Sequence, residues 1–221
     1  MRKLFVMLGL AALVACDDDG TGPSAEGRVR VVHGIPNVEL TDVLVGNSTV
    51  KTDLAYKGVV SVPVRAGAWP VKVRKADATT DLVSVSRDVE DDESHTVVAY
   101  GTEAAPKSIA LDDDLALPAA GKARLRVVHA ADGRGNVDVY VVKAAGDLAN
   151  ATAVATNVAP GAASAYVEVN ADTYIVVLTA TGTKTAALSV ENVVLSNGRV
   201  QTIVAVDKAG GGTPLEAVSL V

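Results

Sequence analysis

The chain has 221 residues, 20 basic against 26 acidic side chains, a formal net charge of −6 and only 3% aromatic residues. An acidic chain without a basic cluster lacks the phosphate-neutralising surface that nucleic acids and anionic lipid headgroups require, so neither is an expected partner. One cysteine in the whole sequence leaves no internal disulfide and no thiolate metal site, and stability must come from hydrophobic burial.

The first residues read as a targeting segment. Arg2 and Lys3 precede an apolar run from Leu4 to Leu13, and small residues lead on to Cys16. Ten helical residues rise only about 15 Å, too little to cross a hydrocarbon core of about 30 Å, so 1–15 is expected to be a signal peptide and not a span. Leu13-Val14-Ala15-Cys16 resembles the bacterial lipobox, in which the cysteine is diacylglycerylated and becomes the new amino terminus. The resemblance implies a lipoprotein, joined to a membrane by lipid on Cys16. Two or three acyl chains anchor durably where one holds only reversibly. The implied location is the bacterial cell envelope, extracytoplasmic, with the outer membrane or cell surface favoured over the inner membrane. The stretch 16–27 follows as a flexible acidic and glycine-bearing tether. Its Asp17-Asp18-Asp19 lacks the alternate spacing and closing Glu of a calcium loop.

From Arg28 onward the pattern is that of strands. Val29-Arg30-Val31 and Val71-Lys72-Val73-Arg74 alternate apolar and charged residues at period two, as strands with one buried and one wet face do. The segments are short, rich in Val and Thr, and separated by turn formers such as Ala66-Gly67, Asn136, Pro160-Gly161 and Asn197-Gly198. The sequence also repeats. Arg28-Val29-Arg30-Val31-Val32-His33 returns as Arg124-Leu125-Arg126-Val127-Val128-His129, and Asp42-Val43-Leu44-Val45 as Asp138-Val139-Tyr140-Val141. Further along, Gly58 and Ser61 match Gly161 and Ser164, Trp69 matches Tyr174, Ser84-Val85 matches Ser189-Val190, and Thr96-Val97-Val98-Ala99 matches Thr202-Ile203-Val204-Ala205. The expected fold is all-β, two tandem antiparallel β-sandwich domains over 28–117 and 118–221, with about seven strands in each.

At Val127-Val128-His129-Ala130-Ala131-Asp132 and Asn136-Val137-Asp138-Val139-Tyr140-Val141 the chain resembles a bacterial extracytoplasmic family known only as domain of unknown function 4397. The first copy departs from that pattern at Gly34-Ile35-Pro36-Asn37 and carries Leu44 in place of tyrosine. The resemblance implies an immunoglobulin-like or transthyretin-like sandwich and brings no catalytic residue with it.

His33 and His129 each end a strand nine residues before Asp42 or Asp138. One reading pairs histidine with aspartate around a nucleophile or metal; the other has the ring bond loop backbone and fix the first crossover. Duplication favours the fold role, and no third ligand stands at a fixed spacing in both copies. Loops 34–41 and 130–136, with His33, Asn37, Asp42, His129, Asp132, Asn136 and Asp138, are the expected binding surface. Glu90-Asp91-Asp92-Glu93 reads as a solvated hairpin tip, because its counterpart ends in Asn197-Gly198. Trp69 and Tyr174 read as core or core rim. No hydrolase, zinc, P-loop or dinucleotide signature is present, so no catalytic residue, metal or cofactor is expected. The function that follows is non-catalytic binding or structural association at the envelope, with an envelope protein or glycan as partner. Its alternatives are an accessory subunit of an envelope polysaccharide or export assembly, and a hydrolase with a loop-built site.

Overall fold

The computed structural model describes residues 26–221. The expected signal peptide 1–15, Cys16 and most of the 16–27 tether lie outside the described residues. Eight strands come first: β1 (Glu26–His33), β2 (Leu40–Val45), β3 (Ser48–Ala55), β4 (Val59–Arg65), β5 (Gly67–Lys75), β6 (Asp81–Val89), β7 (Ser94–Gly101) and β8 (Pro106–Asp112). After a connection come β9 (Lys122–His129), β10 (Val137–Val142), a 3-10 turn (Ala145–Asn150), β11 (Ala155–Val158), β12 (Ala162–Ala163), β13 (Val167–Asn170), β14 (Asp172–Ala180), β15 (Ala186–Leu195), β16 (Val200–Val206) and β17 (Glu216–Leu220).

These strands form four sheets. The orders β4-β1-β7-β8 and β3-β2-β5-β6 build the first half, β12-β9-β16-β17 and β11-β10-β14-β15 the second, with β13 also paired to β9. Within the first half, Val29 and Val31 of β1 meet Val43, Val71 and Val73 of the facing sheet. Leu125 and Val127 of β9 do the same against Val139, Val176 and Leu178. A third apolar cluster joins the halves: Val32, Val98 and Ile109 pack with Val128, Val204 and Leu220. The sheets containing β1 and β9 are therefore the inner layers of a four-layer stack, covered on both faces.

Two expectations need correction. The sheets are not wholly antiparallel, because β1 runs parallel to β7 and β9 parallel to β16. The chain leaves β1 for the outer sheet, returns through β4, leaves again through β5 and β6, and re-enters beside β1 from the same end. β4 comes back antiparallel to β1, and after the two further outer strands β5 and β6 the chain re-enters as β7 in the direction of β1. Eight strands, rather than about seven, complete the first half. Double-sided burial also explains β7, whose every residue from Ser94 to Gly101 is buried, since parallel pairs at a sheet centre are covered on both faces.

Turn chemistry sits at the corners between layers. Glu90–Glu93 is solvated as expected, but it is a corner and not a hairpin tip, because β6 and β7 belong to different sheets. Asp92 takes φ 61° there, and Gly198 φ 76° at the corresponding corner before β16. Two matched pairs shift: Ser61 takes the place of Tyr166 and not of Ser164, and Gly58 is displaced by a residue. Lys57 donates its N–H to the His33 carbonyl and Gly161 donates to the His129 carbonyl, both with positive φ, so Gly161 takes the place of Lys57 and not of Gly58. Gly27 is fixed by space: a Cβ there would lie 2.3 Å from Val89 Cγ1 and 2.6 Å from the Glu90 carbonyl oxygen.

Candidate ligand cleft

The strand-end histidines are fully buried and held by loop backbone. His33 Nε2 lies 2.8 Å from the Val38 carbonyl oxygen and must donate to it, which leaves Nδ1 to accept from the Ile35 N–H at 3.4 Å. Burial pushes the His33 ring down to about 4, with the Val38 bond opposing part of that shift. His129 Nε2 donates to the Gly135 carbonyl at 3.1 Å, and burial lowers this ring too, against the raising effects of that carbonyl and of Asp207. The bonds close the crossovers from β1 to β2 and from β9 to β10. No hydrogen bond joins either histidine to the aspartate nine residues later.

Those aspartates brace backbone instead. Asp42 Oδ1 accepts the Asp53 N–H at 3.1 Å, and Asp138 Oδ1 accepts the Asn157 N–H at 2.8 Å. Asp53 and Asn157 both have positive φ, where an L residue needs support, and the register of the adjoining strand pairs slips beside each aspartate. Asp138 Oδ2 also accepts the Gly182 N–H, and these backbone bonds, Gly182 first, hold its carboxyl below the usual carboxylate range. Loop residues tie down neighbours in the same way. Asn37 Oδ1 accepts the Glu103 N–H at 2.9 Å, Asn136 donates to Asn157 at 2.8 Å, and Asp132 pairs with Lys107 of the other half at 2.7 Å. The structure therefore gathers the seven named residues into two separate sets of loop braces and not into one pocket. Trp69 and Tyr174 lie at the core rim as expected, each donating to the carbonyl four residues earlier, Arg65 or Asn170.

A cleft of about 710 Å³ lies elsewhere, opening between the two inner sheets at the end where β1 begins, lined by Arg28, Arg30, Ser61, Arg199 and Leu220 among others. It exists because β1 alternates: Val29 and Val31 enter their own core, so Arg28 and Arg30 project on the face that meets the second half. Leu115, Leu117 and Val221 lie at its edge, 51%, 83% and 76% exposed. Arg28 reaches Ser61 at 3.4 Å, and among the described residues no carboxylate stands within ion-pair distance of Arg28, Arg30 or Arg199. Three carboxylates also line the cleft, Glu26, Asp92 and Glu93, and Glu93 is turned to His95 at 3.2 Å. Cationic groups beside apolar side chains suit a ligand that carries both an anionic and an apolar part. Sequence reasoning passed over these arginines because their alternation with valine reads as an ordinary wet face. Among the described residues no group of three or more His, Cys, Asp or Glu side chains is placed to hold a metal ion.

The family described as Domain of unknown function (DUF4397) matches residues 27–140, just over half of the chain. The chain belongs to this family. The single DUF4397 match runs from β1 through β8 and on to Tyr140 in β10, across the boundary expected at 117 and 118. No curated protein matches the sequence. Among solved structures, the N-terminal domain of AlgF from P. aeruginosa is 18% identical, with 42% of this chain covering 100% of that one at a TM-score of 0.32. The Bacillus anthracis TIE protein is 12% identical over 82% of this chain at a TM-score of 0.27, and the DUF4397 chain spans only 34% of its length. The family CBM26 module from Eubacterium rectale Amy13K, solved in complex with maltoheptaose, is 8% identical over 88% of this chain and 97% of that one, at a TM-score of 0.30. Likenesses this slight carry no argument about what the chain binds.

Proposed function

We propose that this chain is a lipid-anchored, extracytoplasmic binding protein without chemistry of its own. In this reading, lipid on Cys16 holds it at a bacterial outer membrane or cell surface. Two tandem sandwich domains of immunoglobulin-like or transthyretin-like form, 28–117 and 118–221, present the cleft between their inner sheets to an envelope protein or glycan bearing anionic groups. The supporting observation is the cleft itself, with Arg28, Arg30 and Arg199 directed into it while His33 and His129 are spent on loop backbone. The tandem reading is supported by strand order, since β4-β1-β7-β8 recurs as β12-β9-β16-β17 and β3-β2-β5-β6 as β11-β10-β14-β15.

Two experiments test the reading separately. The chain expressed with its own signal should incorporate palmitate and stay with membranes, and Cys16→Ser should abolish both; equal membrane retention of the two forms would sink the anchoring. Purified protein titrated with isolated envelope polysaccharides should bind an acidic one, with at least tenfold weaker binding in Arg28→Gln/Arg199→Gln. Indifference of binding to that variant would remove the cleft from the reading, and hydrolysis of the polysaccharide would replace binding with catalysis.

A further inference from the structure

The connection before β9 serves Arg124 and Arg126 in a way that nothing among the described residues serves Arg28 and Arg30. Arg124 Nη2 donates to Asp114 Oδ2 at 2.6 Å, and Arg126 Nη2 to Asp113 Oδ1 at 2.5 Å. Both guanidinium groups lie over the Tyr166 ring, 4.7 and 4.6 Å from its centre. The Arg126–Asp113 pair is buried, with side chains 5% and 3% exposed, and Asp113 also accepts from Thr96 Oγ1 at 2.7 Å. The arginine pair on β9 is thus a built receptor for two consecutive carboxylates, and it is filled by the chain that leads into it.

Arg28 and Arg30 stand in the same places on β1. Arg30 lies opposite Thr96 of β7, as Arg126 lies opposite Thr202 of β16. On the other side Val62 faces Val29 where Val167 faces Leu125, so Ser61 occupies the position of Tyr166. A serine in place of a ring leaves space, and that space belongs to the cleft. The sequence holds a complement at matching distances. Asp114 precedes Arg124 by 10 positions and Asp113 precedes Arg126 by 13. Asp18 and Asp17 precede Arg28 and Arg30 by the same intervals. Each Asp triplet, Asp17–Asp19 and Asp112–Asp114, is followed after three residues by a proline, Pro23 or Pro118. Reach is sufficient, because Glu26 lines the cleft and the eight residues back to Asp18 span up to about 27 Å when extended.

We propose that the acidic segment beside Cys16 docks in the cleft, Asp18 on Arg28 and Asp17 on Arg30, as Asp114 and Asp113 seat on Arg124 and Arg126. The inference rests on the tandem reading but not on lipidation. The docked carboxylates would meet guanidinium groups that have no acidic partner among the described residues, as Asp114 and Asp113 meet Arg124 and Arg126.

The test uses the mature chain made without its signal, in which Cys16 is the sole thiol and takes a spin label. Paramagnetic broadening of the Ser61, Ser94 and Gly198 amides reports where residue 16 sits. The wild-type chain should broaden all three, and the effect should be lost in Asp17→Asn/Asp18→Asn and in Arg28→Gln/Arg30→Gln. The aspartate variant lies ahead of the folded strands and cannot fail by unfolding them. Wild-type spectra without broadening, or broadening that survives both double variants, would overturn the docking. Loss of broadening in Arg124→Gln/Arg126→Gln, with Arg28→Gln/Arg30→Gln unaffected, would overturn the residue pairing and with it the tandem equivalence. None of these outcomes bears on palmitate labelling, which tests the anchor alone.

Discussion

His33 ties a crossover with a bond that only the neutral ring can make without cost. Its Nε2–H is committed to Val38 and its Nδ1 faces the Ile35 N–H, so a second ring proton would oppose a donor in a site with no water-exposed surface. The folded-state value, about 4, lies below the unfolded value near 6.5, so the unfolded chain takes up the proton first. The stabilising share of His33 is therefore complete above pH 6.5 and is lost as pH falls towards 4, by about 3 kcal/mol over that span. Urea denaturation followed from pH 7 to pH 4 should record the fall, and a His33→Gln chain should lack that share of it; a flat wild-type profile would refute the neutral-ring account. Gly27→Ala should lower stability by about 1–3 kcal/mol in the same assay, because the new methyl meets the Glu90 carbonyl and not only a side chain that can turn away.

Among the elements, β9 repays closest reading. Its Lys122-Ala123-Arg124-Leu125-Arg126 looks like a strand with a solvated face, yet Arg126 is 4% exposed. The polar face meets a connection that supplies carboxylates, and period two cannot distinguish water from a neighbouring layer that is itself polar. Arg126→Ala should cost about 3–5 kcal/mol by leaving Asp113 buried without its cation. Replacing both residues, as Arg126→Met with Asp113→Leu, should lose markedly less, and a double variant as unstable as the single would point to Thr96 and Thr202 as the true anchors. The same limit explains what the sequence made legible. Strand segments, turn positions and the histidine-to-backbone bonds follow from local pattern, whereas which turns are corners between layers does not. Parallel pairing was missed, although the unbroken apolar run Val97-Val98-Ala99-Tyr100 is too continuous for a half-wet strand. The cleft was hidden, because it depends on Ser61 standing where Tyr166 stands, and that equivalence appears only when strands are laid in register.

Across the whole molecule, the two halves share a core. Val32, Val98, Val128 and Val204 are fully buried at the contact between the inner sheets, and Lys57–Glu216 and Lys107–Asp132 ion pairs flank it. Surface ion pairs add little, so the apolar cluster must hold the halves together. Residues 28–117 expressed alone would expose Val32, Val98 and Ile109 as one patch and should self-associate at concentrations where the full chain stays monomeric, as sedimentation would record. Val204→Asp places an unpaired charge in that contact and should cost more than about 3 kcal/mol, separating one calorimetric transition into two.

The pairing of β1 with β7 also sets an order of events in time. Arg28 finds Ser94 and His33 finds Ala99 only after every intervening strand has left the ribosome, and Arg124 must likewise wait for Val200. Contacts so distant along the chain close slowly, since loop entropy is lost before they form. The sheet around β1 therefore cannot close until Gly101, close to half of the chain, has been made, and the sheet around β9 waits for Val206. Each half is thus committed to its fold by its last inner strands, and the strands made first are the ones that wait longest for a partner.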